Sequence, residues 1–370
     1  MSNQFLLSAA ATAPRKILVL SDKITATQFI SFGQAFGNPN AANGLEVQFE
    51  DTARSKDAMR RVFSEAAPDV LVLSRLTLQR GLYWAELARK AGIPSLYHID
   101  DDLLCVPKSL GPEKYEAYNK PERLQNLRDN IEACDLLYVS TPALQEAMER
   151  NGITRPIIAG DVYCSIDPAR IGTALPATGP VLGYMGTGGH AADLAQVSPA
   201  IARLMQDMPE LQFEIFGTIE MPEPLRRFGD RVRHIQPIMS DYNAFLQRLC
   251  SLGWWVGIAP LEDNNFNRCK ADTKWVEYSM AGLAVIAQDL PVYHRACSDG
   301  AGILASGVDS WYDAMSKTLR DRAVRLAMIE KAQQKLRTVY AHACLRRQVN
   351  DILDQATQIH ASRLTAPVSS

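Results

Sequence analysis

The chain is 370 residues long, with 39 Lys and Arg against 41 Asp and Glu and a net charge of −2. That balance excludes the basic footprint of a general nucleic-acid binder, and 47% hydrophobic with 22% charged residues fits a globular protein large enough for two domains. Seven cysteines without a CxxC pair argue against a zinc ribbon or a disulfide scaffold and read as small buried hydrophobes in a reducing cytoplasm.

Residues 1–15 read as a flexible leader. Their apolar run from Phe5 to Ala13 faintly resembles a signal peptide, but no Lys or Arg precedes it, so the expected location is cytoplasmic. No window approaches the ~20 apolar residues of a spanning helix, which leaves only peripheral contact with a membrane. From Lys16 onward, short β-branched runs alternate with longer amphipathic ones, the order of a parallel sheet covered by helices. Strands are predicted at 17–20, 45–49, 70–73, 95–98, 136–139 and 156–159, with helices at 27–36, 56–66, 81–91, 113–133 and 142–151. They form a Rossmann-like first domain over 16–168. Residues 169–180, rich in Ala, Gly, Thr and Pro, read as a linker.

The rhythm restarts in a second Rossmann-like domain over 181–340, with strands at 181–185, 212–216, 232–234, 255–259 and 284–287 and a weaker one at 302–304. Helices are expected at 192–208, 241–249 and 270–280, and residues 310–360 read as mostly helical. A helix and tail over 341–370 has the length to cross back onto the first domain. The fold class is therefore α/β: two doubly wound domains facing a cleft, with ligands seated beyond the carboxyl ends of the strands.

The most informative stretch runs from Phe266 to Tyr293. Read as a helix, Lys270, Lys274 and Glu277 fall at i, i+4 and i+7, so two ammonium groups and a carboxylate share one face. That face spans about 10 Å, roughly the length of a ribosyl diphosphate. The cations can neutralise a diphosphate while the carboxylate accepts hydrogen bonds from ribose hydroxyls. A solvated helix face held by i, i+4 pairs is the competing reading. The second domain also opens with Gly183-Tyr184-Met185-Gly186-Thr187-Gly188-Gly189-His190, a strand that ends in a glycine-rich turn before a helix. Such a turn lets backbone N–H groups approach an anion, although a tight βα turn needs glycine as well.

At these residues the chain resembles the GT-B glycosyltransferases, particularly the family 4-like group also called group 1. The resemblance is carried by Gly183 to Thr187, by Phe216-Gly217, by Phe266-Asn267-Arg268-Cys269-Lys270 through Lys274, by Glu277-Tyr278 and by Gly282 to Ala287. It implies a nucleotide-sugar donor held by the second domain and an acceptor held mainly by the first. Gly186, Thr187 and Gly188 would meet the diphosphate, Arg268 and Lys270 would neutralise the leaving phosphates with help from Lys274, and Glu277 would hold the ribose. The base would lie near Pro237-Ile238 and the start of the helix at 241. Glu277 matches the second glutamate of the family's Glu-x7-Glu pattern. The first would fall at position 269, where this chain has Cys269, which leaves retention against inversion open.

The first domain offers His98-Ile99-Asp100-Asp101-Asp102 directly after a predicted strand. Three adjacent carboxylates repel unless solvated, paired or facing a cation, so this run is expected to look into the cleft. One of Asp100 or Asp101 would orient an acceptor hydroxyl or take its proton, with His98 and His190 the histidines nearest the cleft. A metal is a lesser explanation, similar to the Asp-x-Asp signature of the other glycosyltransferase fold; with Arg268 and Lys270 supplying the positive charge, no metal and no cofactor beyond the donor is expected. Ser21, Asp22, Lys23 and Arg75 are candidate acceptor contacts by topology alone. Asp263, Asn264 and Asn265 read either as donor-sugar contacts or as a plain turn, and Trp254-Trp255 as buried rings.

The expected function is transfer of a hexose-type sugar from a nucleotide diphosphate to a glycan, lipid-linked or protein acceptor, in bacterial surface-glycan assembly or protein glycosylation. Two alternatives stand beside it: a nucleotide-sugar epimerase of the same fold, and an inactive transferase-like subunit that binds the donor without consuming it.

Overall fold

Each run read as a strand becomes one, and the central strands of both sheets, such as Val70–Ser74, Ser95–Ile99, Val256–Ala259 and Ala284–Gln288, bury both faces as helix-covered parallel strands do. The computed structural model describes residues 14–37, 45–172, 179–238 and 242–365. The leader up to Ala13, residues 173–178 of the expected linker and the last five residues lie outside them.

The first sheet has the order β2-β1-β3-β4-β5-β6, from Leu45–Glu50, Arg15–Leu20, Val70–Ser74, Ser95–Ile99, Leu136–Val139 and Ile157–Ala159. The second has the order β12-β11-β10-β7-β8-β9, from Ile303–Ala305, Ala284–Gln288, Val256–Ala259, Val181–Gly186, Gln212–Gly217 and Val232–Ile235. Every described strand pairing is parallel. In both lobes the order reverses beside the first strand, the switch point at which open α/β sheets place ligands.

Three helices differ from expectation. The segment read as 27–36 is a short α turn, Ala26–Gln28, running into a π-helical stretch, Phe29–Gly33. The segment read as 113–133 is two helices, Pro112–Tyr118 and Pro121–Ala133. Pro121 explains this break, since it cannot donate to the preceding turn and pushes Lys120 into an extended conformation. The helix read as 270–280 begins only at Thr273, with consequences for the site.

The final helix, His342–Thr365, lies on the first lobe. Gln348 Nε2 donates to Tyr138 Oη at 2.8 Å while its Oε1 accepts from Asp161 N and Val162 N at 2.7 and 2.9 Å. Further along, Asp135 takes Arg363 at 2.7 Å and His360 at 3.0 Å. One continuous apolar core therefore runs from Val19 and Phe32 through Tyr163 to Leu345, Tyr340 and Trp275, joining the lobes on the hinge side.

Two of the described glycines lie in the tightest contacts. A Cβ on Gly217, at φ +145°, would meet Gly186 O at 1.8 Å, and one on Gly183 would meet the Trp254 ring at 1.9 Å. Trp254 has little freedom to yield, because it is buried and its Nε1 donates to Glu214 Oε2 at 2.7 Å. Gly183→Ala is expected to lower stability by about 1–3 kcal/mol through overpacking, seen as a lower denaturation midpoint in urea.

Candidate functional site

On the first lobe the site is built where β3 and β4 end. Arg75, the residue after β3, has φ +52°, a left-handed conformation that costs a non-glycine residue about 1–3 kcal/mol unless its surroundings over-determine it. Here they do. Its N–H donates to His98 O at 3.0 Å, and its Nη1 reaches Asp100 Oδ1 at 2.9 Å, Thr27 Oγ1 at 3.2 Å and Asp101 Oδ2 at 3.4 Å. Burial works against the guanidinium charge, but Asp100 and Asp101 more than offset it.

The three adjacent aspartates have separate fates. Asp100 is buried, with Oδ2 accepting from Tyr163 Oη at 2.6 Å and Thr27 Oγ1 at 2.9 Å. With Arg75 on its other oxygen, all of its short polar contacts that the structure displays lie within the first lobe. Asp102 turns inward and accepts from Leu104 N at 3.2 Å. Asp101 alone faces the other lobe, where Lys270 Nζ stands 3.5 Å from its Oδ1. Burial would raise its pKa, yet Lys270 and then Arg75 bring it below the ordinary value.

His98 departs from expectation. It lies in the core rather than the cleft, edge-on to Phe32 at 5.0 Å and beside Tyr138 at 5.1 Å, with Nδ1 3.0 Å from Ser74 Oγ. It sits within β4, whose side chains are all buried, and burial holds it neutral with a pKa of about 4.

On the second lobe, β7 delivers the glycine turn. Gly186 O accepts from Thr218 N at 3.1 Å, Thr187 is exposed, and Gly188 N donates to Thr218 Oγ1 at 2.9 Å. The turn continues through His190 into the helix Ala191–Asp207. His190 Nδ1 lies 2.7 Å from Asp193 Oδ2, and Asp193 Oδ1 accepts Glu262 N at 2.7 Å. Lys274 first, and burial second, push the His190 pKa down to about 4.

The cationic segment is not one helix. Asn264 caps a four-residue turn, Asn265–Arg268, the chain leaves it at Cys269, and a new helix, Thr273–Met280, starts after Asp272. Asp272 is drawn aside by Tyr340 Oη, which donates to it at 2.5 Å. Lys270 therefore stands on the connection between helices, 4.7 Å above the Phe266 ring, and reaches the first lobe. The expected i, i+4, i+7 face is reduced to Lys274 and Glu277. The two lysines nevertheless converge, for each depresses the His190 pKa and Lys270 helps depress that of Lys274, after burial and against Asp193. Lys274 Nζ lies 5.9 Å over the Tyr184 ring. Glu277 is buried and accepts from Tyr242 Oη at 2.7 Å. Burial pushes its pKa up to about 7, against the opposing pull of Tyr242 and Lys274.

Arg268 is not brought into this group. Its guanidinium is exposed and makes a bidentate pair with Asp263, at 2.6 and 2.8 Å. Asp263 and Asn264 are thus a plain turn and cap. Cys269 is wedged between the lobes, where its O accepts from Thr141 Oγ1 at 2.8 Å and its Sγ faces Asn265 O and Ala143 O at 3.2 and 3.6 Å. Burial, then Asp102, push its thiol up to about 12, so it supplies no charge where the resemblance has a glutamate. Among the described residues no three His, Cys, Asp or Glu side chains are grouped to hold a metal ion.

Asp193 and Tyr242 were missed from the sequence. Asp193, three residues after His190 in a first helical turn, carried a legible signal; Tyr242 meets Glu277 only through the fold.

No protein-family model and no curated protein sequence matches the chain. Its structure does have counterparts. The Anabaena protein HepE, solved with UDP-glucose, superposes with a TM-score of 0.64 at 15% identity, over 92% of this chain and 99% of that one. A sucrose-phosphate synthase from Thermosynechococcus elongatus gives 0.63 at 14%, over 92% and 98%. A UDP-forming trehalose-phosphate synthase from Burkholderia xenovorans gives 0.60 at 12%, over 93% and 99%. The chain therefore has the GT-B fold, two parallel sheets with a helical C-terminal segment.

Because Lys274 is the first cause of the low His190 pKa, Lys274→Met is expected to raise that pKa from about 4 towards the ordinary 6.5. An NMR titration of the imidazole protons reads the change directly.

Proposed function

We propose that this chain is a glycosyltransferase that moves a sugar from a nucleotide diphosphate to a hydroxyl acceptor. The observation that carries this reading is the convergence of Lys270 and Lys274 beside the glycine turn, opposite the first-lobe carboxylate Asp101. Two ammonium groups held in a partly dry seam are prearranged for the charge that grows on a departing diphosphate, and they need no reorganisation as it leaves. Glu277, on the same helix as Lys274, is assigned the ribose hydroxyls. Asp101 is assigned the acceptor side, orienting a hydroxyl or taking its proton once Lys270 has turned to phosphate. With Asp100 engaged, His98 in the core and Arg268 on Asp263, the chemistry rests on fewer residues than the sequence suggested.

HepE is solved with UDP-glucose and the trehalose-phosphate synthase is described as UDP-forming, so a uridine diphosphate sugar is the donor to test first. The setting we assign is cytoplasmic, in bacterial surface-glycan assembly or protein glycosylation, with a glycan, lipid-linked or protein acceptor. Among the described residues no helix is long and apolar enough to cross a membrane. A second reading, a subunit that binds donor without turnover, is favoured by Cys269, which brings no carboxylate to the sugar.

Lys270→Ala and Lys274→Met are each expected to lower kcat/KM by about 10²–10³, the effect of removing one preorganised charge-stabilising group. Arg268→Ala is expected to stay close to wild type, and turnover is expected to survive EDTA. Product formation followed by mass spectrometry checks all four. Donor binding without product supports the second reading. A thermal-shift series with UDP, GDP and ADP tests the seat itself, since a native-state ligand at ~100-fold its Kd adds about 2.7 kcal/mol of apparent stability.

A further inference from the structure

Glu277 is held by a group outside its own helix. Tyr242 is the first residue of the helix Tyr242–Ser251, and its hydroxyl donates to Glu277 Oε1 at 2.7 Å. Neighbours from both lobes fix the ring. Within the second lobe it stacks on Phe245 at 5.9 Å and 22°, and Phe245 lies parallel to Phe216 at 5.2 Å and 8°. From the first lobe, the edge of Phe29 stands 6.4 Å away and Cys164 Sγ lies 3.7 Å from the hydroxyl. Among the described ion pairs none includes Glu277, so the phenol is its one short polar contact that the structure displays.

We propose that Tyr242 is a positioning residue for Glu277: its hydroxyl, braced from the first lobe by Phe29 and Cys164, holds the carboxylate in the orientation and charge state that grips the donor ribose. This rests on the nucleotide-sugar reading above. The groups that face Glu277 are Tyr242 from its helix, Cys164 from the first lobe, and Lys274 and Tyr278 from its own helix. Burial raises the pKa of Tyr242, Cys164 and Tyr278 alike, so all three stay neutral. Ionisation of Glu277, with a pKa of about 7, therefore depends on Lys274 and on the phenolic hydrogen bond. A ribose hydroxyl bonds more strongly to a carboxylate than to a carboxylic acid. Nucleotide affinity should thus rise as pH climbs through about 7, and removing the phenol should delay that rise to higher pH.

Tyr242→Phe keeps the ring stack and removes one oxygen. Titration calorimetry with UDP, GDP and ADP between pH 6 and 9 compares it with wild type. The expected result is that the bound nucleotide's affinity curve shifts upward in pH, with a loss of roughly fivefold at pH 7 for a one-unit shift, and the two proteins converge at high pH. A loss by the same factor at every pH, or no change, overturns the role of Tyr242. A wild-type protein that binds none of the three nucleotides overturns the nucleotide seat and this role together, a result distinct from an unmoved profile in a protein that binds.

Discussion

Two ammonium groups drawn out of water at the lobe junction are the constraint on which the arrangement depends. Lys274 lies against the Tyr184 ring and Lys270 against that of Phe266, so both have exchanged hydration for aromatic faces and carboxylates. Each nearby carboxylate is already engaged: Asp101 with Arg75, Asp193 with His190 and the Glu262 N–H, Glu277 with Tyr242. Burial first, and then Lys270 against the pull of Asp193, lowers the pKa of Lys274, and Lys274 is the largest cause that keeps His190 neutral. Unit charges 4 Å apart interact by about 4 kcal/mol at an effective dielectric of 20, so two ammonium groups gathered here would attract an entering polyanion.

The first lobe solves a different problem, which is to hold one carboxylate ready while its neighbours are neutralised. Asp100 and Asp101 are adjacent in sequence, yet their surroundings separate them. Asp100 accepts from a phenol, a hydroxyl and a guanidinium inside the lobe, and Asp101 shares that guanidinium while facing outward. The left-handed Arg75 is what allows one side chain to span both, since its backbone turns sharply at the end of β3. Strain at this residue is sustained by three acceptors and by the His98 carbonyl.

Much of this was legible in the sequence, for identifiable reasons. The described strands fall where the sequence placed them, most plainly for the apolar central runs, and two doubly wound domains followed from their order, while GT-B came from the resemblance carried by the second-domain motifs. Lys270, Lys274 and Glu277 were legible as a group, but not as a helix face, because the chain leaves one helical turn at Cys269 and restarts at Thr273, with Asp272 held by Tyr340 from far along the chain. Arg268 and Asp263, five residues apart, satisfy each other locally, a pairing that motif reasoning overlooks when it assigns every cation to phosphate. His98 failed for another reason: position at a strand's carboxyl end does not say which face a side chain takes, and here that face is packed against Phe32.

The two sides of the lobe junction differ in what holds them. On the hinge side the core is continuous, and Ile166 N donates to Tyr340 O at 2.8 Å while His342 N donates to Ile166 O at 2.9 Å, stitching the crossing segment to the final helix. At the site side the described polar contacts include Thr141 with Cys269 O, Cys269 Sγ with Ala143 O and Asp101 with Lys270, around the apolar patch where Phe266 and Cys269 enter the first lobe's core. A hydrogen bond such as the first adds about 1 kcal/mol net, and an ion pair at 3.5 Å with partial exposure adds comparably little. Separation of the lobes is therefore easier at the site than at the hinge. On the proposed reading, a diphosphate that took Lys270 from Asp101 would remove one of those few contacts as it bound, so seating a donor and freeing the first-lobe carboxylate would be the same event.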